Sequence, residues 1–147
     1  MKYYEDFEIG DTQTFGEASL TASEIVDFGE RYDPQPFHTD PEAAAESIYG
    51  GLIASGWQTA GVTMRLLVEH VFADTAAQGA IGVDDLRFSA PVRPGDTLTV
   101  ESRIVDTEPY SDGLGLVRGQ VTVTNQHDET VMTMVGLLLF ERREPDE

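Results

Sequence analysis

The chain has 147 residues, of which 40% are hydrophobic and 24% charged, and this length and composition suit a single domain with a buried core. Its 27 acidic and 9 basic residues give a net charge of −18, which argues against binding to nucleic acid or to an anionic membrane, since both need a basic surface. The sequence holds no cysteine, which excludes a disulfide, a thiolate nucleophile and a cysteine-ligated metal.

The first half of the chain predicts short helices on either side of a proline-rich loop. Thr21-Ala-Ser-Glu24 has the spacing of a capping box and predicts a helix that ends near Arg31. The segment from Asp33 to Pro41 contains three prolines, which exclude a helix running through it. Pro41 itself suits the first turn of a short helix over residues 42–46.

A long helix is predicted from about Ser55 to Phe72, because apolar residues recur there at steps of three and four. These residues are Trp57, Ala60, Gly61, Met64, Leu67, Val68 and Val71. The other face is apolar too, so we expect the helix to be buried on most sides. A glycine inside a helix costs about 1 kcal/mol relative to alanine, and Gly61 therefore predicts a close approach to another backbone.

After Gly79 the hydrophobic period changes to two, which indicates β-strands. Alternating residues over 85–88, 97–104 and 117–124 predict half-buried strands, and the nearly continuous apolar run from Val131 to Phe140 predicts a central strand. Turn residues over 93–96 and 125–129 separate these strands. One long helix followed by antiparallel strands favours an α+β fold in which a curved sheet wraps around the helix.

The densest polar segment is the proline-rich loop over 32–40, which contains Asp33 and His38. Two prolines between these residues can hold both side chains toward one point at little entropic cost. A carboxylate and an imidazole that share a water molecule can orient it, take its proton and return a proton elsewhere. The alternative for Asp33 is a structural role in the turn before Pro34.

Gly56 lies at the start of the predicted long helix. A glycine at this position lets a substrate carbonyl approach the backbone N–H groups, where the helix dipole favours developing negative charge. Gly56 is therefore a candidate donor to an oxyanion.

The loop resembles the signature of the MaoC-like, (R)-specific enoyl-CoA hydratases of the hotdog fold. That signature is Asp, any residue, Asn, Pro, an aliphatic residue and His, with a further Asp two residues on. Asp33, Pro36 and His38 match it, whereas Gln35 replaces the usual Asn and Phe37 the usual aliphatic residue.

Three more segments carry the resemblance. The family's oxyanion glycine corresponds to Gly56, which stands here in Ser55-Gly56-Trp57 rather than in His-Gly-Met. Asp6-Phe-Glu-Ile-Gly-Asp11 and the segment 86–96 also resemble the family. The resemblance spans most of the chain, and it implies one hotdog domain over residues 1–147, with an antiparallel sheet around a long central helix.

The resemblance implies an enzyme of acyl-CoA metabolism, a hydro-lyase that adds water to a 2-enoyl-CoA or dehydrates a 3-hydroxyacyl-CoA. Asp33 would take the proton of the water, His38 would position the water and supply a proton, and the Gly56 N–H would bind the thioester oxygen. Further substrate contacts are expected from Ser55, Trp57, Phe37, Arg87 and Arg93, with the arginines at the CoA phosphates. We expect a homodimer or higher homo-oligomer, and neither a metal nor a cofactor besides the CoA of the substrate.

Two other functions remain open at this point. A hotdog acyl-CoA thioesterase often carries a carboxylate on its central helix, and the only acid there is Glu69, more than three turns past Gly56. A non-catalytic thioester-binding protein would use the fold without the chemistry. The sequence leaves open the acyl chain length, its branching and the choice between CoA and an acyl-carrier protein.

The charged residues also indicate an environment. Lys2 is the only lysine beside eight arginines, and an excess of acid with so little lysine is typical of a high-salt cytoplasm. At molar salt the Debye length is about 3 Å, so the repulsion among acidic side chains is largely screened. We therefore expect a halophilic, cytoplasmic protein, with an ordinary acidic protein as the alternative. No stretch has the ~18 apolar residues of a membrane helix, and the acidic N-terminus does not fit a signal peptide.

Overall fold

A five-stranded antiparallel sheet dominates the computed structural model, which describes residues 1–143. The strands are β1 (Thr12–Ser19), β2 (Ala77–Phe88), β3 (Thr97–Ser111), β4 (Leu114–Thr124) and β5 (Thr130–Glu141), in the spatial order β1-β3-β4-β5-β2. The α-helices of this part of the chain are α1 (Ala22–Tyr32), α2 (Pro36–Thr39), α3 (Pro41–Ala45) and α4 (Gly56–Leu67). A 3₁₀ turn over Tyr4–Asp6 precedes β1, and a π-helical turn over Val68–Phe72 continues α4.

The short helices begin where the sequence predicts. Thr21 caps α1 through the predicted capping box, in which its hydroxyl accepts from the Glu24 N–H at 3.1 Å and its own N–H donates to the Glu24 carboxylate at 2.9 Å. Asp40 caps α3, with Pro41 in its first turn. The expectation of no helix between the prolines is wrong for one turn, α2, because Pro36 occupies its first position, where a missing N–H has no cost.

The core lies between α4 and one face of the sheet. Leu66 and Leu67 of the helix are buried in one cluster with Val100, Val121 and Met132 of three successive strands. Strand β5 lies between β4 and β2, so its predicted place in the interior of the sheet is confirmed. The arrangement is the predicted antiparallel sheet around a central helix.

One face of α4 is left uncovered by the described residues. Trp57 is 62% exposed, and Met64 and Val68 are 44% and 47% exposed. Gly61 lies on the same face, and a Cβ built on it would have no neighbour within 4 Å. The expected burial on most sides, and the expected close approach at Gly61, are therefore not found within the single chain.

The buried face of α4 carries polar residues, two of which donate to backbone carbonyls. Thr63 donates its hydroxyl to the Thr59 carbonyl at 2.8 Å, and the Gln58 amide donates to the Glu24 carbonyl of α1 at 3.0 Å. Polar groups with such partners can be buried without a large penalty. The apolar pattern of the helix therefore does not by itself show which side faces the sheet.

Strand β2 forms one edge of the sheet, and nearly all of its residues are exposed. Val83 and Phe88 are 49% and 46% exposed and extend the uncovered apolar face of α4. We call the residues Trp57, Met64, Val68, Val83 and Phe88 the apolar patch. Within residues 1–143, no helix is both long enough and apolar enough to cross a membrane.

Candidate active site

The two ends of the proline-rich loop bring Asp33 and His38 together. Asp33 ends α1, His38 lies in α2, and Asp33 Oδ2 is 3.3 Å from His38 Nε2. The two helices can pack closely because Gly29 lies at their contact, where a Cβ would be 2.8 Å from the His38 carbonyl oxygen. The predicted meeting of the acid and the imidazole is present in the structure.

The backbone fixes the orientation of the His38 ring. Its Nδ1 lies 2.8 Å from the carbonyl oxygen of Ile53, and a carbonyl only accepts, so Nδ1 carries a hydrogen. The ring is 5% exposed and also contacts the edge of Phe37, with ring centroids 4.6 Å apart. Nε2 is therefore the nitrogen that gains or loses a proton, and it faces Asp33.

Both oxygens of Asp33 accept hydrogen bonds. Gln35 donates its side-chain amide to Oδ1 at 2.7 Å, and Ser55 donates its hydroxyl to Oδ2 at 2.8 Å. Burial raises the pKa of the Asp33 carboxyl, but these two donors and the charge of His38 outweigh it and hold the pKa below its ordinary value of 3.8. At neutral pH Asp33 is a carboxylate.

Gly56 is the first residue of α4, directly after the N-cap Ser55. The first amides of a helix have no intrahelical acceptor, and no acceptor among the described residues binds the Gly56 N–H. A Cβ on Gly56 would lie 2.5 Å from the ring of Phe88, so glycine also allows β2 to pack against the start of the helix. The residue therefore has a packing role in addition to any role in binding.

A cavity of about 410 Å³ brings part of the predicted site together. His38, Gly56 and Phe37 line it, joined by the polar side chains of Tyr49 and Thr59. Its apolar wall comes from Ile53, Ala54, Phe88, Ala90, Pro91, Val92 and Val131. An imidazole, a helix N-terminus and an apolar wall thus share one space, and Asp33 contacts His38 without being among the lining residues.

The other predicted substrate contacts lie outside this cavity wall. The Ser55 side chain is buried against Asp33, and Trp57 packs edge-to-face on Phe88 with centroids 6.0 Å apart. Arg93 donates its guanidinium to the Tyr49 carbonyl at 2.7 Å, which fixes the loop beside the cavity.

Arg87 is not among the residues that line the cavity. It stands opposite Thr133, whereas the next residue, Phe88, stands opposite the buried Met132. Successive residues of a strand point to opposite faces, so Arg87 projects from the face of the sheet away from α4.

Sequence reasoning did not identify the hydrogen-bond partners of the acid and the imidazole. Gln35 is visible in the sequence as a departure from the family signature, and its amide is a donor to Asp33. The Ile53 carbonyl has no side-chain signal at all, and Ser55 was expected at the substrate. Among residues 1–143, no group of three or more histidine, aspartate or glutamate side chains is placed to hold a metal ion.

The sheet, the central helix packed against it and the cavity at the helix N-terminus define a hotdog-fold protein. The chain belongs to the MaoC-like family, since residues 6–129 match the family profile described as MaoC like domain. This match confirms the resemblance that the loop signature indicates.

Relatives of known sequence and structure agree with this assignment. The chain is 31% identical over 140 residues to the uncharacterized protein YdeM of Bacillus subtilis, covering 94% of this chain and 98% of that protein. It is 30% identical over 111 residues to the (R)-specific enoyl-CoA hydratase of Rhodospirillum rubrum, covering 74% of each. The crystal structure of a MaoC-like dehydratase from Rhodospirillum rubrum superposes with a TM-score of 0.87 at 36% identity, covering 97% of this chain and 98% of that one.

Proposed function

We propose that the protein is an (R)-specific 2-enoyl-CoA hydratase, which in reverse dehydrates a 3-hydroxyacyl-CoA. The observation that carries the proposal is the Asp33–His38 contact of 3.3 Å beside a cavity that His38 and Gly56 both line. The similarity to a protein named as an (R)-specific enoyl-CoA hydratase supports the same reaction and stereochemistry.

The first role is polarisation of the thioester. The carbonyl oxygen of the enoyl-CoA accepts from the Gly56 N–H, where the dipole of α4 also favours negative charge. Electron density then moves from the double bond toward that oxygen, and the β-carbon becomes the site of attack. One such donor is typically worth about 3–4 kcal/mol of transition-state stabilisation.

The second role is proton transfer by the Asp33 carboxylate and the His38 imidazolium. Asp33 takes a proton from a water molecule that both groups hold beside the substrate, and the hydroxyl oxygen bonds to the β-carbon. His38 gives its Nε2 proton to the α-carbon. The 3.3 Å contact then lets the proton on Asp33 pass to His38, so both groups return to their starting states.

We further propose that the protein is a homodimer formed through the apolar patch. The outer edge of β2 has no partner strand among the described residues, and the neighbouring face of α4 is apolar and uncovered. A second copy that paired with β2 would cover both surfaces and place another backbone near Gly61. In such a dimer Arg93, which lies beside the cavity, is the candidate for the CoA phosphates, whereas Arg87 projects from the opposite face of the sheet. No cofactor besides CoA is needed.

A thioesterase is disfavoured by the position of Glu69. Its carboxylate accepts from Arg65 at 3.0 Å in the π-helical turn, about 20 Å along the helix axis from Gly56 at 1.5 Å per residue. No other acid lies on the central helix. Glu69 therefore cannot activate water against a carbonyl held by Gly56 of the same chain.

An assay with crotonyl-CoA separates the candidate functions. A hydratase removes the enoyl absorbance without releasing a free thiol, whereas a thioesterase releases thiol, which a chromogenic disulfide reagent detects. We expect loss of absorbance alone. Thiol release at a comparable rate would contradict the proposal, and so would tight binding without either change.

A further inference from the structure

We infer that Ser55 is a positioning residue, whose hydroxyl holds the Asp33 carboxylate in register with His38 and with the Gly56 amide. The inference rests on the proposed function, because it gives Ser55 a role in that reaction. Ser55 and Asp33 come from different elements, the N-cap of α4 and the end of α1. Their side chains meet at 2.8 Å, and Ser55 is 1% exposed.

The hydroxyl of Ser55 has a fixed direction. A serine has one O–H hydrogen, and here it is donated to Asp33 Oδ2. The same oxygen atom accepts from the Trp57 N–H at 3.3 Å, as the N-cap of α4. The hydroxyl thus donates to the carboxylate and accepts from the helix end. Rotation of the Ser55 side chain would break both hydrogen bonds.

The contact also fixes the orientation of the carboxylate. Oδ2, which accepts from Ser55, is the oxygen that faces His38 Nε2, and Oδ1 accepts from Gln35. With a donor on each oxygen, the plane of the carboxylate is set. The attacking water therefore meets an oxygen whose place is determined by α4.

Ser55 connects the two halves of the proposed chemistry. It is covalently joined to Gly56, whose N–H is the proposed oxyanion donor, and it is hydrogen-bonded to the proposed base. A shift of α1 relative to α4 would change the distance between water and thioester, and such misplacement by about 1 Å can cost about 10²-fold in rate. Since the Ser55 side chain does not line the cavity, the geometry assigns it to positioning and not to substrate binding.

The groups around Asp33 make the effect of Ser55 measurable. Of the residues described, His38 of α2 is the titratable group that faces Asp33, while Gln35 and Ser55 are neutral donors. A hydrogen bond to a carboxylate favours its charged form. Removal of the Ser55 hydroxyl therefore raises the pKa of Asp33 toward its ordinary value.

The kinetic test compares the parent with Ser55→Gly and Ser55→Thr. Glycine is well tolerated at an N-cap, so Ser55→Gly removes the contact with Asp33 at little cost to the helix. We expect kcat for crotonyl-CoA to fall at least about tenfold with KM nearly unchanged, and the acidic limb of the kcat/KM profile to move to higher pH. Ser55→Thr keeps the hydroxyl, so the acidic limb of its kcat/KM profile should lie at the same pH as in the parent.

Thr21→Ala is the matched control, because Thr21 also caps a helix but does not contact Asp33. It should lower stability without moving the acidic limb. A second readout does not depend on turnover: the ¹³C resonance of the Asp33 carboxyl should titrate at higher pH in Ser55→Gly than in the parent.

The two readouts separate the inference from the proposed function. An unchanged carboxyl titration together with an unchanged pH profile would overturn the positioning role. A shifted titration in a protein that hydrates no enoyl-CoA would contradict the hydratase, while the control of Asp33 by Ser55 would stand.

Discussion

Asp33 and His38 can exchange a single proton because the backbone fixes one nitrogen of the imidazole. With Nδ1 held by the Ile53 carbonyl, a change of protonation occurs at Nε2, the atom 3.3 Å from the carboxylate. The charge of His38 also helps to hold the pKa of the Asp33 carboxyl below its ordinary value. At the residue scale, this geometry is the one that the proposed proton transfer requires, with one oxygen of Asp33 beside one nitrogen of His38.

The lowered pKa of Asp33 predicts a dependence of stability on pH. A carboxyl whose pKa is lower in the folded than in the unfolded protein stabilises the fold above the unfolded value, and this contribution is lost as pH falls through the folded value. The parent should therefore be more stable than Asp33→Asn at pH 7, and the difference should shrink below pH about 4. Urea unfolding of both proteins from pH 7 to pH 3 measures this difference in the free energy of unfolding. A difference that stayed constant over this range would mean that the folded structure does not alter the titration.

The contact between Gly56 and Phe88 predicts a cost for a single methyl group. Gly56→Ala places a Cβ against the Phe88 ring, which must move, and overpacking of this kind typically costs about 1–3 kcal/mol. Phe88→Ala removes the obstacle, so the methyl group should cost less in the double variant. Chemical denaturation of the four proteins gives the coupling energy. Additive effects would show that the ring does not restrict position 56.

At the scale of the elements, the helix α4 shows how far the sequence can be interpreted. Its three- and four-residue period predicts its existence and start, because periodicity depends only on local geometry. The pattern does not identify the buried face, since Thr59 and Thr63 are buried and the Thr63 hydroxyl donates to the Thr59 carbonyl of the same helix. The positions of apolar residues alone therefore do not show which face of a helix packs against the sheet when polar residues can be buried with backbone partners.

Part of the candidate site could likewise be predicted from the sequence, and part could not. Asp33 and His38 were predictable together, because they lie within one short loop that prolines stiffen. Their partners Ser55 and Ile53 were not, since these contacts exist only when α1, α2 and the start of α4 have packed. Sequence spacing identifies residues that are close along the chain, and the tertiary fold supplies the rest.

The apolar patch predicts an association through α4 and β2. Met64→Asp places a charge in the patch and should convert a dimer into a monomer of 16.1 kDa at micromolar concentration. Ile48→Asp is the matched control, because Ile48 is 94% exposed but lies outside the patch. Sedimentation velocity in high salt distinguishes the species. A monomeric parent, or equal dissociation by both variants, would exclude this interface.

At the scale of the whole molecule, the net charge of −18 predicts a strong response to salt. Raising the ionic strength from 0.1 M to 1 M shortens the Debye length from about 10 Å to about 3 Å, which weakens repulsion among the acidic side chains. A gain of about 1 kcal/mol would raise Tm by about 3 °C in a protein of this size. Thermal unfolding in KCl should show at least this increase. The same measurement in sodium sulfate at low concentration separates screening from the salt-specific effects of sulfate. A Tm that did not change in KCl would contradict the expected role of charge.

The most direct test of the proposed chemistry is the rate of crotonyl-CoA hydration by Asp33→Asn relative to the parent. Asparagine keeps the size and much of the hydrogen bonding of aspartate but cannot take a proton from water. The proposed role of Asp33 predicts that kcat falls by ~10² or more while circular dichroism and acyl-CoA binding remain those of the parent. A variant that hydrates crotonyl-CoA within a few-fold of the parent rate would show that Asp33 is a residue of the turn and not the base.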